Sequence, residues 1–218
     1  MSTSNSLSNP YPVNLRLEGQ PCLVVGAGNV AVGKIAGLLQ ASADVTVVAP
    51  EAHPSLANDP RFSWHRRPYR AGEVLGYRVV ITCTDDPAVN AQVYDDGERL
   101  GVLVNSADDV ANCRFTLPST FNRGDVQVTV STAGRSPALS AWLRRRVEAE
   151  IGPEYRDLLE LLAGVRDEIR SSGGSSEVPG WKAALEDGLL DMVVSGDHVA
   201  AENHLRTHLG LPTQEVVS

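Results

Sequence analysis

In the first half of the chain apolar residues gather in short unbroken runs, and in the second half they recur at helical spacing. Cys22 to Val25 and Asp44 to Ala49 are apolar runs that read as strands, and Tyr77 to Thr84 is a continuous one of the kind produced by a strand buried on both faces. Arg61-Phe62-Ser63-Trp64-His65 and Val102-Leu103-Val104-Asn105 read as two further strands. The stretch after Gly28 and the stretch Pro87–Leu100 are spaced as helices, the latter with Asp85 or Asp86 near its cap. This alternation predicts an α/β fold. Its first part is a Rossmann-type parallel sheet with helices on both faces and a ligand crevice at the carboxyl ends of the strands.

The pattern changes beyond residue 112. Arg114–Pro118 and Asp125–Ser131 flank the Gly-containing segment Asn122–Asp125 and predict antiparallel pairing. Ser136-Pro137 opens a helix that runs to Glu150, with Ser136 as cap and Pro137 in its first turn. Gly152-Pro153 ends it, and a second helix spans Glu154 to Arg170. Ser171 to Ser176 reads as a flexible joint, followed by two short helices near Trp181–Val194 and Asp197–Leu209. Three regions result: a nucleotide-binding domain over 1–112, a small antiparallel β/helical region over 113–150, and a C-terminal helical region over 151–218. Met1 to Pro10 is polar, lacks the basic and apolar regions of an export signal, and is expected to be a disordered leader.

The first strand breaks into Gly26-Ala27-Gly28-Asn29-Val30-Ala31, a Gly-x-Gly-x-x-Ala turn that leads into a helix. Gly26 permits the tight turn, Gly28 lets the backbone approach a diphosphate, and Ala31 lets helix and strand pack closely. The open N–H groups of the helix start then face the anion. Glu51 lies about twenty residues further on, where such folds place an acid on the adenine ribose. Its charge would repel a 2′-phosphate, so NAD is preferred to NADP. If Glu51 faces solvent, the backbone around Ala49, Pro50 and Glu51 makes the ribose contact instead. A rival reading takes Gly28 to Lys34 as the G-x-x-x-x-G-K of a triphosphate loop. That loop needs Ser or Thr next for Mg²⁺, and Ile35 stands there.

Composition narrows the classes. A net charge of −8 argues against a dedicated nucleic-acid or membrane-surface binder. No apolar stretch reaches the roughly 18–20 residues of a membrane span. Three widely spaced cysteines, Cys22, Cys83 and Cys113, support neither a disulfide framework nor a zinc site, and a cytoplasmic protein is expected. His204 and His208 stand at metal-binding spacing on a predicted helix, but without a nearby helical acid they read as an exposed polar face, and no metal is assigned. Neither a short-chain dehydrogenase Tyr/Lys pair nor a G-x-S-x-G elbow occurs, which leaves carboxylates as the best proton acceptors. Asp85 and Asp86 also serve as helix caps.

Six motifs occur in one order: Tyr11-Pro12-Val13-Asn14-Leu15; Val24 to Ala31 with Lys34; Thr84-Asp85-Asp86; Asn105-x-x-Asp108; Phe115-x-x-Pro118; and Ser131-Thr132-x-Gly134-x-Ser136-Pro137. Together they resemble the precorrin-2 dehydrogenase family, the NAD-dependent module of siroheme synthases, over roughly residues 11–150. The resemblance implies oxidation of precorrin-2 to sirohydrochlorin, with hydride passing to NAD⁺ and iron insertion as a further activity. It implies that Asp108 is the general base. Gly26, Gly28, Asn29, Val30, Ala31, Pro50, Glu51 and Thr84 would hold the cofactor. Arg114, Ser131, Thr132, Gly134, Arg135 and Ser136 would hold the substrate. It also implies a homodimer built on residues 113–150, with the active site between subunits. The methyltransferase domain of the fused synthases has no counterpart here, so a stand-alone enzyme is expected. Thr132 replaces a serine that is phosphorylated in some members.

Precorrin-2 carries eight carboxylates, so an acidic protein must concentrate positive charge to bind it. Arg114, Arg123, Arg135 and Arg144-Arg145-Arg146 supply it, unless the last three form a solvated or dimer-facing surface. The alternative from another class is a non-catalytic NAD-sensing domain, which needs the glycine turn and Glu51 but has no use for Asp108.

Overall fold

A computed structural model describes residues 10–107, 109, 112–175, 177 and 179–213. The expected leader falls almost wholly on residues 1–9, outside the described residues. Two compact units divide between Leu117 and Pro118.

The first unit is a five-stranded parallel sheet in the order β3-β2-β1-β4-β5. Its strands are β1 (Pro21–Val25), β2 (Asp44–Val48), β3 (Ser63–His65), β4 (Val79–Thr82) and β5 (Leu103–Ser106). Helix α1 (Asn29–Gln40) crosses from β1 to β2, and α2 (Pro87–Leu100) crosses from β4 to β5. Strand order reverses between β1 and β4, and in sheets of this kind ligands bind beyond the carboxyl ends of the strands at such a switch point. Double burial explains the unbroken apolar runs. Cys22 and Val24 pack with Ile35 and Leu38 of α1 on one face, while Leu23 and Val25 pack with Val93 of α2 on the other. Asp86 caps α2 by accepting hydrogen bonds from the amides of Ala88 and Val89. Residues 66–78 carry the chain from β3 to β4 without a helix, and Val74 seals that face of the sheet.

Asp96 of α2 anchors that connection. Its buried carboxylate accepts from Tyr69 Oη at 2.8 Å and from the Gly72 amide at 2.7 Å, and it pairs with Arg99. Burial alone would raise its pKa, but these donors outweigh burial and the net shift is downward. Burial and the adjacent carboxylate push the Tyr69 phenol well above its usual range, so it remains a donor. Asp96→Ala is expected to cost about 2–3 kcal/mol at pH 7, because two half-buried donors lose their acceptor. A depressed folded-state pKa stabilises above the unfolded value of about 3.9 and is lost as pH falls through the folded value. The stability gap between wild type and variant should therefore narrow below about pH 4. Urea unfolding at pH 7 and pH 3 reads both quantities, and a gap that widens in acid contradicts the assignment.

The second unit begins with a hairpin of β6 (Ser119–Arg123) and β7 (Val126–Val130), paired from Ser119↔Val130 to Arg123↔Val126. The pairing lies further along the chain than the sequence suggests, since Arg114–Pro118 is not a strand. The Arg114 amide instead donates to the Val104 carbonyl, and the Phe115 carbonyl accepts from Asn105. The two-residue turn Gly124-Asp125, with Gly124 at φ +57°, then fixes the register. Helix α3 (Pro137–Glu150) packs on both strands, with Ser136 accepting from the Leu139 amide. Arg123 joins hairpin and helix: its guanidinium donates to the carbonyls of Ile151, Asn122 and Glu148 and stacks over Phe121.

Helices α4 (Glu154–Ser171), α5 (Trp181–Glu186), α6 (Leu189–Val194) and α7 (His198–Leu209) share one apolar core. One helix expected over 181–194 is in fact two, because Gly188 at φ +82° breaks it. The expected joint at 171–176 starts as an ordered helix cap, with the Gly173 and Gly174 amides bonded to Arg170 and Ile169; Ser176 lies outside the described residues. Among the described residues no helix is long and apolar enough to cross a membrane.

Candidate functional site

The β1–α1 turn sits at the switch point, and its two glycines do different work. Gly26 has φ +101°, and a Cβ there would meet the Cys83 carbonyl oxygen at 2.8 Å and the Thr84 nitrogen at 3.0 Å. It is therefore required by backbone geometry and by close approach of the β4–α2 loop. Gly28 is different. Its φ of −77° and ψ of −165° suit any residue, and a Cβ there would meet nothing within 4 Å. Neither conformation nor internal packing calls for glycine at this position. What a bare Cα leaves is open space in front of α1, which is the approach a diphosphate needs.

The helix end is equally bare. Gly28 is the N-cap of α1 and offers no side-chain acceptor, and the first turn carries no acid. The first amides of a twelve-residue helix thus keep their donors for an anion, with the helix dipole aligned behind them. Val30 is 45% exposed at this mouth although it is apolar. Ala31 is wholly buried, as close packing of helix and strand requires.

Neighbouring loops close around the turn. The Gly26 amide donates to the Val48 carbonyl at 2.9 Å, and the His53 amide donates to the Ala27 carbonyl at 2.7 Å, which brings the segment after β2 alongside. Both polar backbone groups of Ala49 are engaged, the amide with His65 and the carbonyl with the Trp64 indole. Pro50 and Glu51 follow directly and are exposed just beyond the carboxyl end of β2. On the other side, Asn90 clamps Thr84. Its side-chain amide donates to the Thr84 carbonyl at 2.9 Å, and its oxygen accepts from the Thr84 hydroxyl at 2.8 Å. Spacing alone carries no sign of this role, since a polar residue on an amphipathic helix reads as solvated surface. The triphosphate-loop reading fails here: Ile35, where a metal-binding hydroxyl must stand, is 1% exposed in the core.

Asp108 lies outside the described residues. The segment that contains it in sequence is tied at both ends. Asn105 donates to the Phe115 carbonyl at 2.9 Å, and the Cys113 thiol bonds with the Ser106 amide and carbonyl, each at 3.2 Å. Two of the sequence motifs, Asn105 and Phe115, are thus one structural feature. Burial raises the pKa of the Cys113 thiol.

In the second unit, Ser131 to Ser136 forms a tight loop at the start of α3, with Ala133 at φ +51° and Gly134 at φ +76°. Thr132 is knitted into it: its hydroxyl donates to the Ser136 carbonyl, accepts from the Ser136 amide and contacts the Ser140 hydroxyl at 2.9 Å. The candidate arginines divide. Arg114 is paired with Glu98, Arg144 with Glu148, and Arg123 is held by carbonyls, whereas Arg146 stacks on Trp142. Arg135 and Arg145 are exposed.

Residues 13–119 match the family model described as "Putative NAD(P)-binding", and residues 123–150 match the one described as sirohaem biosynthesis protein central. A siroheme synthase of Nitrosococcus oceani is 37% identical over 203 residues, 91% of this chain and 43% of that protein. The chain belongs to the precorrin-2 dehydrogenase and siroheme synthase family. Another member, a siroheme synthase of Actinobacillus pleuropneumoniae serotype 7, is 41% identical over 166 residues, 75% of this chain and 34% of that protein. The chain spans less than half the length of these curated relatives. Among solved structures, SirC, a precorrin-2 dehydrogenase, superposes with a TM-score of 0.67 at 25% identity, covering 92% of this chain and 98% of that one.

Proposed function

We propose that this chain oxidises precorrin-2 to sirohydrochlorin with NAD⁺, in siroheme biosynthesis, as a cytoplasmic homodimer. The observation that carries the reading is Gly28: a glycine that neither its backbone angles nor its neighbours require, at the bare start of α1, in a chain of this family. Gly26 shapes the turn, Gly28 clears the approach, and the amides of Asn29, Val30 and Ala31 bind the diphosphate. Pro50 and Glu51 meet the adenosine ribose, where the carboxylate accepts from ribose hydroxyls and disfavours a 2′-phosphate. Thr84, held by Asn90, lines the other wall. When bound, NAD⁺ supplies the hydride acceptor. Removal of a hydride and a proton from the macrocycle balances the two-electron oxidation, and the Asp108 carboxylate takes the proton. Ser131, Gly134, Ser136 and the exposed Arg135 bind substrate carboxylates. Arg114 joins them only if it leaves Glu98.

The domain roles follow. Residues 1–112 bind the cofactor, residues 113–150 pair two copies, and residues 151–218 form a helical support. Helix α3 supports the pairing, because Ser140 is the one buried residue among its fourteen while Leu139 and Trp142 are 46% and 45% exposed. Anaerobic incubation with precorrin-2 and NAD⁺ tests the proposal. One NADH should appear per sirohydrochlorin formed, and Trp142→Glu should convert a dimeric mass to that of a 23.3 kDa monomer. No NADH with authentic precorrin-2 overturns the reading.

A further inference from the structure

The helical unit holds a side-chain cluster that the proposed reaction does not use. His204 and His208 stand one turn apart on α7, and Asp187, the C-cap of α5, reaches both. Asp187 Oδ2 lies 3.1 Å from His208 Nε2 and 3.9 Å from His204 Nε2, and one ligand atom from each residue falls within 4.8 Å of the others. The two imidazole rings are tilted against each other with centroids 4.6 Å apart. These histidines are not on a solvated face, as the sequence suggested: their side chains are 17% and 25% exposed. His204 Nε2 is buried and has no hydrogen-bond partner, although a carboxylate lies just beyond hydrogen-bonding reach. Such an orphaned buried nitrogen calls for an explanation.

We propose that Asp187, His204 and His208 bind a divalent transition metal of the zinc class. Two imidazoles and one carboxylate are a borderline ligand set that selects zinc, cobalt or nickel over magnesium or calcium. Zinc–ligand bonds of about 2.0–2.1 Å in a tetrahedron place ligand atoms roughly 3.3–3.4 Å apart. The two separations from Asp187, 3.1 and 3.9 Å, bracket that value and the third lies within 4.8 Å, so side-chain rotations that draw the histidines together complete the geometry. Asp187 is 70% exposed, which leaves a solvent-facing position for a fourth, water ligand. Bound there, the metal ties the α5–α6 corner to α7. The other end of α5 already fits closely against α7: a Cβ on Gly180, its N-cap, would come within 2.2 Å of the His208 carbonyl oxygen.

Cobalt(II) titration of the full, untagged chain tests the site. One equivalent should bind with the intense visible absorption of a four-coordinate nitrogen and oxygen site, and zinc should displace it. Zinc at about a hundred times its Kd should raise the unfolding temperature by about 5 °C or more. His204→Gln with His208→Gln should abolish both effects. If that variant does not fold, Asp187→Asn, a change at an exposed cap, should weaken cobalt binding at least tenfold. Absence of saturable binding, a thiolate charge-transfer band that places cobalt on a cysteine, or full affinity in Asp187→Asn each overturns the proposal.

Discussion

Asp108→Asn should lower turnover by a factor of about 10²–10⁴ while NAD⁺ affinity stays within about twofold of wild type. Asparagine matches aspartate in size and cannot take a proton at neutral pH. The change therefore removes one function at nearly constant side-chain size. The diphosphate cradle is built from the turn after β1, the ribose contact from the segment after β2, and neither includes residue 108. Asn105, Ser106 and Cys113, which flank residue 108 in sequence, keep their own hydrogen bonds in either case. Pre-steady-state NADH formation with precorrin-2 measures the first quantity and NAD⁺ titration the second. Turnover within a few-fold of wild type assigns proton removal to another group. Parallel loss of binding and turnover makes Asp108 part of the cofactor site instead.

Gly28→Asp and Gly26→Ala should fail in opposite ways. Aspartate is a better N-cap than glycine, and Gly28 already has the extended backbone that a capping residue uses. The variant should be as stable as wild type or more so. Its carboxylate would nevertheless occupy the α1 amides and repel a diphosphate, so NAD⁺ affinity should fall more than about 100-fold, or ~3 kcal/mol. At Gly26 the added methyl group meets the Cys83 carbonyl oxygen at 2.8 Å on a backbone held at φ +101°. That variant should lose about 3 kcal/mol or more of stability, and cofactor binding with it. Urea unfolding with NAD⁺ calorimetry separates the two. A Gly28→Asp protein that binds NAD⁺ normally removes the cradle.

The parallel sheet was legible because its central strands are buried on both faces, so their apolar runs are unbroken and their turns are punctuated by glycine. The turn that needs Gly26 was legible for the same reason: a strand–turn–helix junction allows few solutions. Long-range polar contacts were not. Asn90 holding Thr84, Asn105 holding Phe115 and Arg123 holding the end of α3 each join residues whose spacing carries no periodic signal. The hairpin register slipped because alternation around 114–118 resembles a strand, whereas its backbone partners belong to β5 and to Asn105. His204 and His208 were visible as a spaced pair, but Asp187 enters only through the break at Gly188, which apolar spacing across 181–194 conceals.

A crystal structure of the chain with NAD⁺ tests the proposed cradle most directly. Diphosphate oxygens should lie within hydrogen-bonding distance of the main-chain amides at the start of α1, directly over the Cα of Gly28, with the adenosine ribose at Glu51. A diphosphate bound anywhere else, with that turn facing only solvent, contradicts it.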